Sequence, residues 1–154
     1  MLDAFEGDFD GHDWEHTVGG THVVALDGEE IVGHAALVAR TLFVGEHPYR
    51  TGYVEGVAVA PARQGEGIGS VVMADVGALI TRDFELGGLG TGRHSFYERL
   101  GWERWHGPTF VRRGRELVRS GEDDDGVMVL RVGPSRAVDL TGSISCEARS
   151  GDDW

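Results

Sequence analysis

The chain has 154 residues, a length typical of one domain, and its 40% apolar residues suffice to bury a core. A net charge of −12 disfavours nucleic acid and anionic membranes as partners and favours cations. No apolar run reaches the roughly 18–20 residues of a membrane span, and the first residues lack a signal-peptide pattern. Scattered histidines and one cysteine, Cys146, predict neither a disulfide nor a metal site. We therefore expect one cytoplasmic domain over residues 1–154.

The first half of the chain predicts strands joined by hairpins and followed by a helix. Short apolar runs separated by turn residues such as Asp27-Gly28 favour strands. Later, apolar residues at helical spacing follow a glycine-rich stretch. We predict strands over residues 21–26, 31–43 and 53–60, and a helix over residues 68–81.

The second half predicts shorter elements. We predict a strand over residues 83–89, a helix over 93–100, a strand over 127–132 and one more strand near the C-terminus. The highly charged residues 111–126 show no periodicity and are interpreted as a loop. Early strands joined by hairpins and later strands alternating with helices favour a mixed, mostly antiparallel sheet flanked by helices, in the α/β (α+β) class.

A glycine-rich segment, residues 63–70, joins the third strand to the long helix. The N-terminus of a helix carries unpaired N–H groups and partial positive charge, and glycine lets such a backbone wrap closely around an anion. The segment lacks the Gly-Lys-Ser/Thr of a P-loop, and its Gly65-x-Gly67-x-Gly69 spacing differs from a Rossmann fingerprint. It predicts a diphosphate-binding loop of another kind, and a plain turn that starts a helix is the alternative.

Two segments resemble the GNAT acetyltransferases. The run Val-Ala-Val-Ala-Pro at residues 57–61, followed by Gln64-x-x-Gly67-x-Gly69, is similar to their acetyl-CoA signature. Residues 96–102, Phe-Tyr-Glu-Arg-Leu-Gly-Trp, are similar to their segment near the CoA thiol. The resemblance implies a GNAT fold and acetyl-CoA as cosubstrate. It implies these cofactor-binding residues: Val57, Ala58, Val59, Gln64, Gly65, Glu66, Gly67, Ile68, Gly69 and Ser70.

Further segments resemble one family, the aminoglycoside 2′-N-acetyltransferases. They are residues 7–9, 13–17, 52–59, 101–102 with 105–109, 123–126 and the C-terminal Gly-Asp-Asp-Trp at 151–154. The resemblance implies direct transfer of an acetyl group to the 2′-amine of an aminoglycoside, and a homodimer. The family has a further N-terminal strand and helix, and this chain begins at what resembles the end of that helix. We therefore expect that the first strand is missing or that a different start codon applies. A serine-rich segment of the family is here Gly-Thr-Gly-Arg-His at residues 90–94, which leaves open what replaces one serine contact.

Two side chains are candidates for proton transfer. Amine acetylation needs a base that deprotonates the ammonium and an acid for the leaving thiolate. Residues 53, 55, 57 and 59 of a regular strand share a face, which predicts Glu55 beside Val57 and Val59 as the base, acting through a water in the resembled family. Tyr97 is the candidate acid, and N–H groups near Val57 would polarise the thioester carbonyl. A structural glutamate and a core tyrosine are the alternatives.

Carboxylates are the candidates for binding a polycationic acceptor. The resemblance implies these substrate-binding groups: Asp8, Asp13, Glu55, Asp124, Asp152 and the terminal carboxylate of Trp154. Two other functions stay open: a GNAT enzyme for another amine, such as a polyamine, a cell-wall sugar or a protein N-terminus, and a non-catalytic protein that binds CoA or drugs. The non-catalytic alternative predicts that Glu55→Gln and Tyr97→Phe leave ligand binding intact.

Overall fold

The computed structural model describes residues 19–154, so Asp8, Asp13 and the expectation about a first strand lie outside the described residues. The strands are β1 (Thr21–Asp27), β2 (Glu30–Val44), β3 (His47–Val59), β4 (Leu86–Gly90), β5 (Glu103–Arg104), β6 (Thr109–Arg113), β7 (Glu116–Arg119), β8 (Val127–Arg131) and β9 (Ile144–Glu147). The helices are α1 (Ile68–Asp83) and α2 (His94–Glu98), and single 3₁₀ turns lie at Pro61–Arg63, Gly121–Asp123 and Gly133–Ser135.

The strands form one nine-stranded sheet. Its order is β5-β8-β4-β3-β2-β9-β6-β7, and β1 pairs with β2 outside this path. Within it, β3–β4 and β6–β9 are parallel and the other pairs are antiparallel. The mixed, mostly antiparallel sheet flanked by helices that the sequence predicts is therefore confirmed.

Strands β3 and β4 separate at their carboxyl ends. Their parallel pairing covers Thr51 with Leu86 through Tyr53 with Gly88, although β3 continues to Val59. Beyond Tyr53 the β4-facing edge of β3 has no ladder partner in β4. Because unpaired strand edges leave backbone donors and acceptors free, this divergence creates a cleft lined by peptide groups.

A bulge interrupts β3 where the cleft begins. Ala36 of β2 pairs with Glu55 and His34 pairs with Ala58, so β3 has one residue more than β2 between these pairs. Gly56 lies within this stretch with φ +58, in the left-handed region that glycine tolerates best. The prediction that residues 53, 55, 57 and 59 share a face is wrong, because the extra residue shifts the alternation.

The two faces of the sheet bury separate clusters. Val54 and Val57 pack in the cluster that contains Val72 and Ile80 of α1. On the other face, Tyr53 packs with a cluster of residues from β2, β4, β6, β8, β9 and the C-terminal segment, including Trp154. Glu55 is opposite Ala36 and two positions after Tyr53, on this second face. None of the helices within residues 19–154 is long and apolar enough to cross a membrane.

The charged segment 111–126, predicted as a loop, contains strands. Residues 109–113 and 116–119 form the hairpin β6–β7, with Arg113 paired to Glu116 across the turn. Strand β6 also pairs in parallel with β9, which is distant in sequence. The prediction was wrong because the stability of β6 comes from this long-range pairing, and β7 is an exposed edge where charged side chains are solvated. Likewise β3 begins at His47, earlier than predicted, because it forms a long hairpin with β2.

Candidate functional site

A cavity of about 1030 Å³ fills the cleft between β3 and β4. Residues 54–59 of β3 form one wall, and the end of β4, α2 and the start of α1 form the rest. Every predicted cofactor-binding residue except Glu66 lines it. The carboxylate of Glu66 is instead 2.8 Å from Nε of Arg63, in an exposed ion pair. Nine of the ten predicted cofactor-binding residues therefore share one continuous space.

The loop before α1 presents backbone N–H groups to this cavity. Gly65 and Gly67 both have φ +83, and Gly67 is the residue before the helix. The first N–H that returns to the loop belongs to Val71, which donates to the carbonyl of Gly67 at 3.2 Å. The amides of residues 68–70 thus belong to the first helical turn, whose N–H groups have no intrahelical acceptor. This end of the cavity is suited to an anion.

Three guanidinium groups also line the cavity, although the chain is acidic. Arg63 donates to Asp27 at 2.6 Å as well as to Glu66, while Arg93 precedes α2 and Arg99 follows it. Phe96 of α2 packs close to Gly69, so that a Cβ at that glycine would be 3.2 Å from the ring. The contact brings α2 against the start of α1. Cations and amides therefore surround the space where a diphosphate would lie.

Glu55 lines the cavity and is paired with an arginine. Its Oε1 is 2.6 Å from Nη1 of Arg149, and the two side chains are only 12% and 17% exposed. Arg149 also donates from Nε to the carbonyl of Asp152 at 2.7 Å. The arginine thereby ties the C-terminal segment to β3. The sequence carries no signal for this pair, because the partners are 94 residues apart.

Tyr97 of α2 lines the same cavity and is 8% exposed. Its ring makes edge contacts with Phe96 and Trp102, with centroid distances of 4.9 and 6.3 Å. Burial raises the pKa of the Tyr97 phenol, partly offset by the nearby charge of Arg93. A phenol that stays protonated at neutral pH can donate a proton.

The predicted acidic groups have different surroundings. Asp152 and Trp154 line the cavity. Asp124 does not: its Oδ1 accepts from the N and Oγ1 of Thr109 at 3.0 and 2.9 Å, and its carboxylate is paired with Arg119. The hydrogen bond from Arg119 contributes most to lowering the pKa of Asp124 far below its usual range. Asp124 thus stabilises the local loop structure.

Asp123 is an acidic residue that the sequence reasoning missed. Burial, and then the charges of Asp152, Glu122, Asp153 and Asp124, raise its pKa to about 6. A carboxyl group with such neighbours gains from a bound cation. Its place in the run Asp-Asp-Asp at 123–125 was visible, but the sequence alone did not show which member points into this cluster. Of the arginines that line the cavity, Arg63 had a clearer signal, as a basic residue in the glycine-rich segment of an acidic chain.

Comparisons with known proteins agree with this geometry. The model of the acetyltransferase (GNAT) domain matches residues 18–104. An aminoglycoside 2′-N-acetyltransferase from Mycolicibacterium fortuitum is 39% identical over 159 residues, covering 100% of this chain and 81% of that protein. A GNAT family N-acetyltransferase from Escherichia coli, solved in complex with CoA, has a TM-score of 0.67 at 17% identity, covering 94% of this chain and 81% of its own. An acetyltransferase of the same family from Brucella melitensis, solved with acetyl-CoA, has a TM-score of 0.54 at 19% identity and covers 93% and 71%.

Proposed function

Because the chain belongs to the GNAT acetyltransferases, in the family of the aminoglycoside 2′-N-acetyltransferases, and is an acetyl-CoA-dependent N-acetyltransferase, we propose that it acetylates the 2′-amine of an aminoglycoside. One observation supports this acceptor most directly. A single cavity has amides and arginines along one part and Glu55, Asp152 and Trp154 along another. It can thus hold an anionic donor and a cationic acceptor together.

The charges favour an acceptor with several ammonium groups. Asp152 lines the cavity, and it lies close enough to Asp123 for its charge, after burial, to raise the pKa of Asp123. The net charge of −12 adds a long-range attraction for polycations. Asp8, Asp13 and Asp124 stay predictions of the family resemblance, and Asp124 would have to act through the loop that it stabilises.

In the proposed mechanism Glu55 is the base and Tyr97 the acid. The acceptor ammonium loses a proton to Glu55, directly or through a water, and the neutral nitrogen attacks the carbonyl carbon of the thioester. The N–H of Val57 donates to the carbonyl oxygen as charge develops there. As the new C–N bond forms and the C–S bond breaks, the nitrogen loses its second ammonium proton to solvent and the thiolate takes the proton of the Tyr97 hydroxyl. Glu55 returns the first ammonium proton to solvent. Tyr97 is reprotonated from solvent, so one proton is released in each turnover.

Arg149 shapes how Glu55 can act. Oε1 of Glu55 already accepts a hydrogen bond from this guanidinium, which leaves Oε2 to face the acceptor or a water. The pair also holds the carboxylate in one orientation along the wall of the cavity. We therefore assign Arg149 a supporting role at the base.

The acceptor is tested with kanamycin B and kanamycin A, which differ in having an amine or a hydroxyl at the 2′ position. We expect CoA release with kanamycin B and none above background with kanamycin A, and fragmentation mass spectrometry should place the acetyl group at the 2′ nitrogen. Equal turnover of both would assign another amine. Turnover restricted to spermidine, glucosamine or a peptide N-terminus would favour the alternative acceptors.

The proposal includes the remaining expectations for the whole protein. We propose that residues 1–154 act as a single acetyltransferase domain in the cytoplasm, as a homodimer. Light scattering of the purified chain tests the dimer.

A further inference from the structure

A buried histidine contacts the bulge of β3. His34 of β2 is 3% exposed, and its side chain is on the same face of the sheet as Glu55. Its Nδ1 lies 2.8 Å from the carbonyl oxygen of Gly56. Its Nε2 lies 2.8 Å from Nδ1 of His22 on β1. The imidazole of His22 therefore contacts that of His34, and His34 contacts the carbonyl of Gly56 in the bulge.

The hydrogen bonds determine which nitrogens carry protons. A carbonyl only accepts, so Nδ1 of His34 carries the hydrogen that it donates to Gly56. Burial lowers the pKa of His34, which keeps its ring neutral at pH 7 and leaves Nε2 as an acceptor. His22 then donates from Nδ1. The direction is His22 to His34 to the Gly56 carbonyl.

The peptide bond transmits this contact to the cavity. The carbonyl of Gly56 and the N–H of Val57 belong to one planar trans peptide group, so they point in opposite directions. A donor that holds the carbonyl therefore also holds the direction of the N–H. At Gly56, with φ +58 and outside regular pairing, the ladder restrains this peptide group less than in an ordinary strand.

We infer that His34 is a positioning residue: through the carbonyl of Gly56 it keeps the N–H of Val57 directed at the thioester carbonyl. The inference rests on the proposed function in one respect, the placement of the acetyl carbonyl at Val57. It does not depend on which amine is the acceptor. His34 touches neither substrate and acts through the peptide group alone.

The test compares ligands that differ by a carbonyl oxygen. S-ethyl-CoA has a methylene where acetyl-CoA has its carbonyl, so the ratio of their affinities reports the contact with Val57. By calorimetry without acceptor, we expect the wild type to prefer acetyl-CoA by about fivefold, the value of one hydrogen bond. His34→Leu should lose this preference, and its kcat should fall about 10²-fold. His34→Asn, whose Nδ2 can replace Nδ1 as donor to Gly56, should keep the preference and remain within about fivefold in kcat.

The outcomes separate the inference from the proposed function. If the wild type binds both ligands equally, the acetyl carbonyl does not contact the N–H of Val57, and this part of the proposed function is wrong. A wild-type preference that His34→Leu retains would overturn the inference alone. S-ethyl-CoA affinity checks that each variant has a folded pocket. Should the leucine variant fail to fold, His34→Gln, whose donor lies one bond farther from Cβ, should lose the preference in the same measurement.

Discussion

The two parts of the cavity are built in different ways. The donor part consists of backbone amides from one continuous segment, residues 64–70, with arginines around it. The proposed acceptor part is lined by side chains from distant positions, Glu55 and Asp152, and Arg149 contacts both the carboxylate of Glu55 and the backbone carbonyl of Asp152. Asp123 is a charged neighbour of Asp152. The difference teaches that the donor part is local and robust to most side-chain changes, whereas the acceptor part depends on individual residues.

The largest expected effect comes from the acceptor part. Glu55→Gln should lower kcat about 10²- to 10⁴-fold, because the amide cannot take the proton of the acceptor ammonium. The Kd of CoA should stay within about twofold, since the proposed site for the diphosphate is the loop of residues 64–70. Steady-state kinetics and calorimetry measure the two quantities.

Glu46→Gln is the matched control, because Glu46 is an exposed carboxylate whose pair with Arg112, at 3.5 Å, lies away from the cavity. It should leave kcat unchanged. Thermal melting records separately the stability lost when Arg149 is left without its partner. Retained turnover in Glu55→Gln would show that another group takes the proton.

A smaller effect is expected in the donor part. Gly67→Ala should weaken CoA binding about 5- to 10-fold. A residue with Cβ adopts the left-handed conformation with φ +83 at a cost of about 1–2 kcal/mol, so the free loop of the variant relaxes and must be restored on binding. The acceptor KM should not change. Gly133→Ala is the control, since Gly133 has equally open surroundings but is not among the glycines with a positive φ. Equal CoA affinity in both variants would mean that the loop does not hold the diphosphate.

The smallest effect concerns Asp123. Its pKa is raised to about 6 in the folded protein, above the roughly 3.9 of an unfolded chain, so its ionisation costs stability as the pH rises from about 4 through 6. Asp123→Asn should therefore be more stable than the wild type at pH 8, by about 1 kcal/mol after allowance for solvent screening, and not below pH 4. Melting temperatures across this range measure it.

The same variant tests acceptor binding. The wild-type KM for an aminoglycoside should rise as the pH falls through 6 and Asp123 loses its charge, whereas Asp123→Asn should have a KM about threefold higher at pH 8 and lack this step. If the wild-type KM does not change near pH 6, the charge of Asp123 does not contribute to binding the acceptor.

The sequence predicted the strand, loop and helix around the glycine-rich segment well because these elements are local. The run from Val57 to Ser70 places strand, loop and helix next to one another, and the structure has these elements in that order. The helix over 68–81 was predicted within two residues of α1 (Ile68–Asp83), since its apolar spacing reflects burial against one face of the sheet.

The rest depended on contacts between distant residues. Part of the charged segment 111–126 is a strand because β6 pairs with β9. No periodicity in that segment predicts the strand. The partner of Glu55 comes from the C-terminal segment, and the choice between Asp123 and Asp124 depends on Arg119 and Thr109. Such choices follow from tertiary packing, which local patterns do not contain.

Gly56 has a consequence for how this enzyme could be altered. The residue inserts one amide unit into β3 and adds no side chain, so deleting it would leave a regular strand with Glu55, Val57, Ala58 and Val59 still alternating between the same two sides of the sheet. The deletion variant would keep its hydrophobic pattern and lose one peptide unit, including the carbonyl that His34 contacts. Gly56 therefore changes the backbone groups available in β3 while the alternation of side chains stays the same.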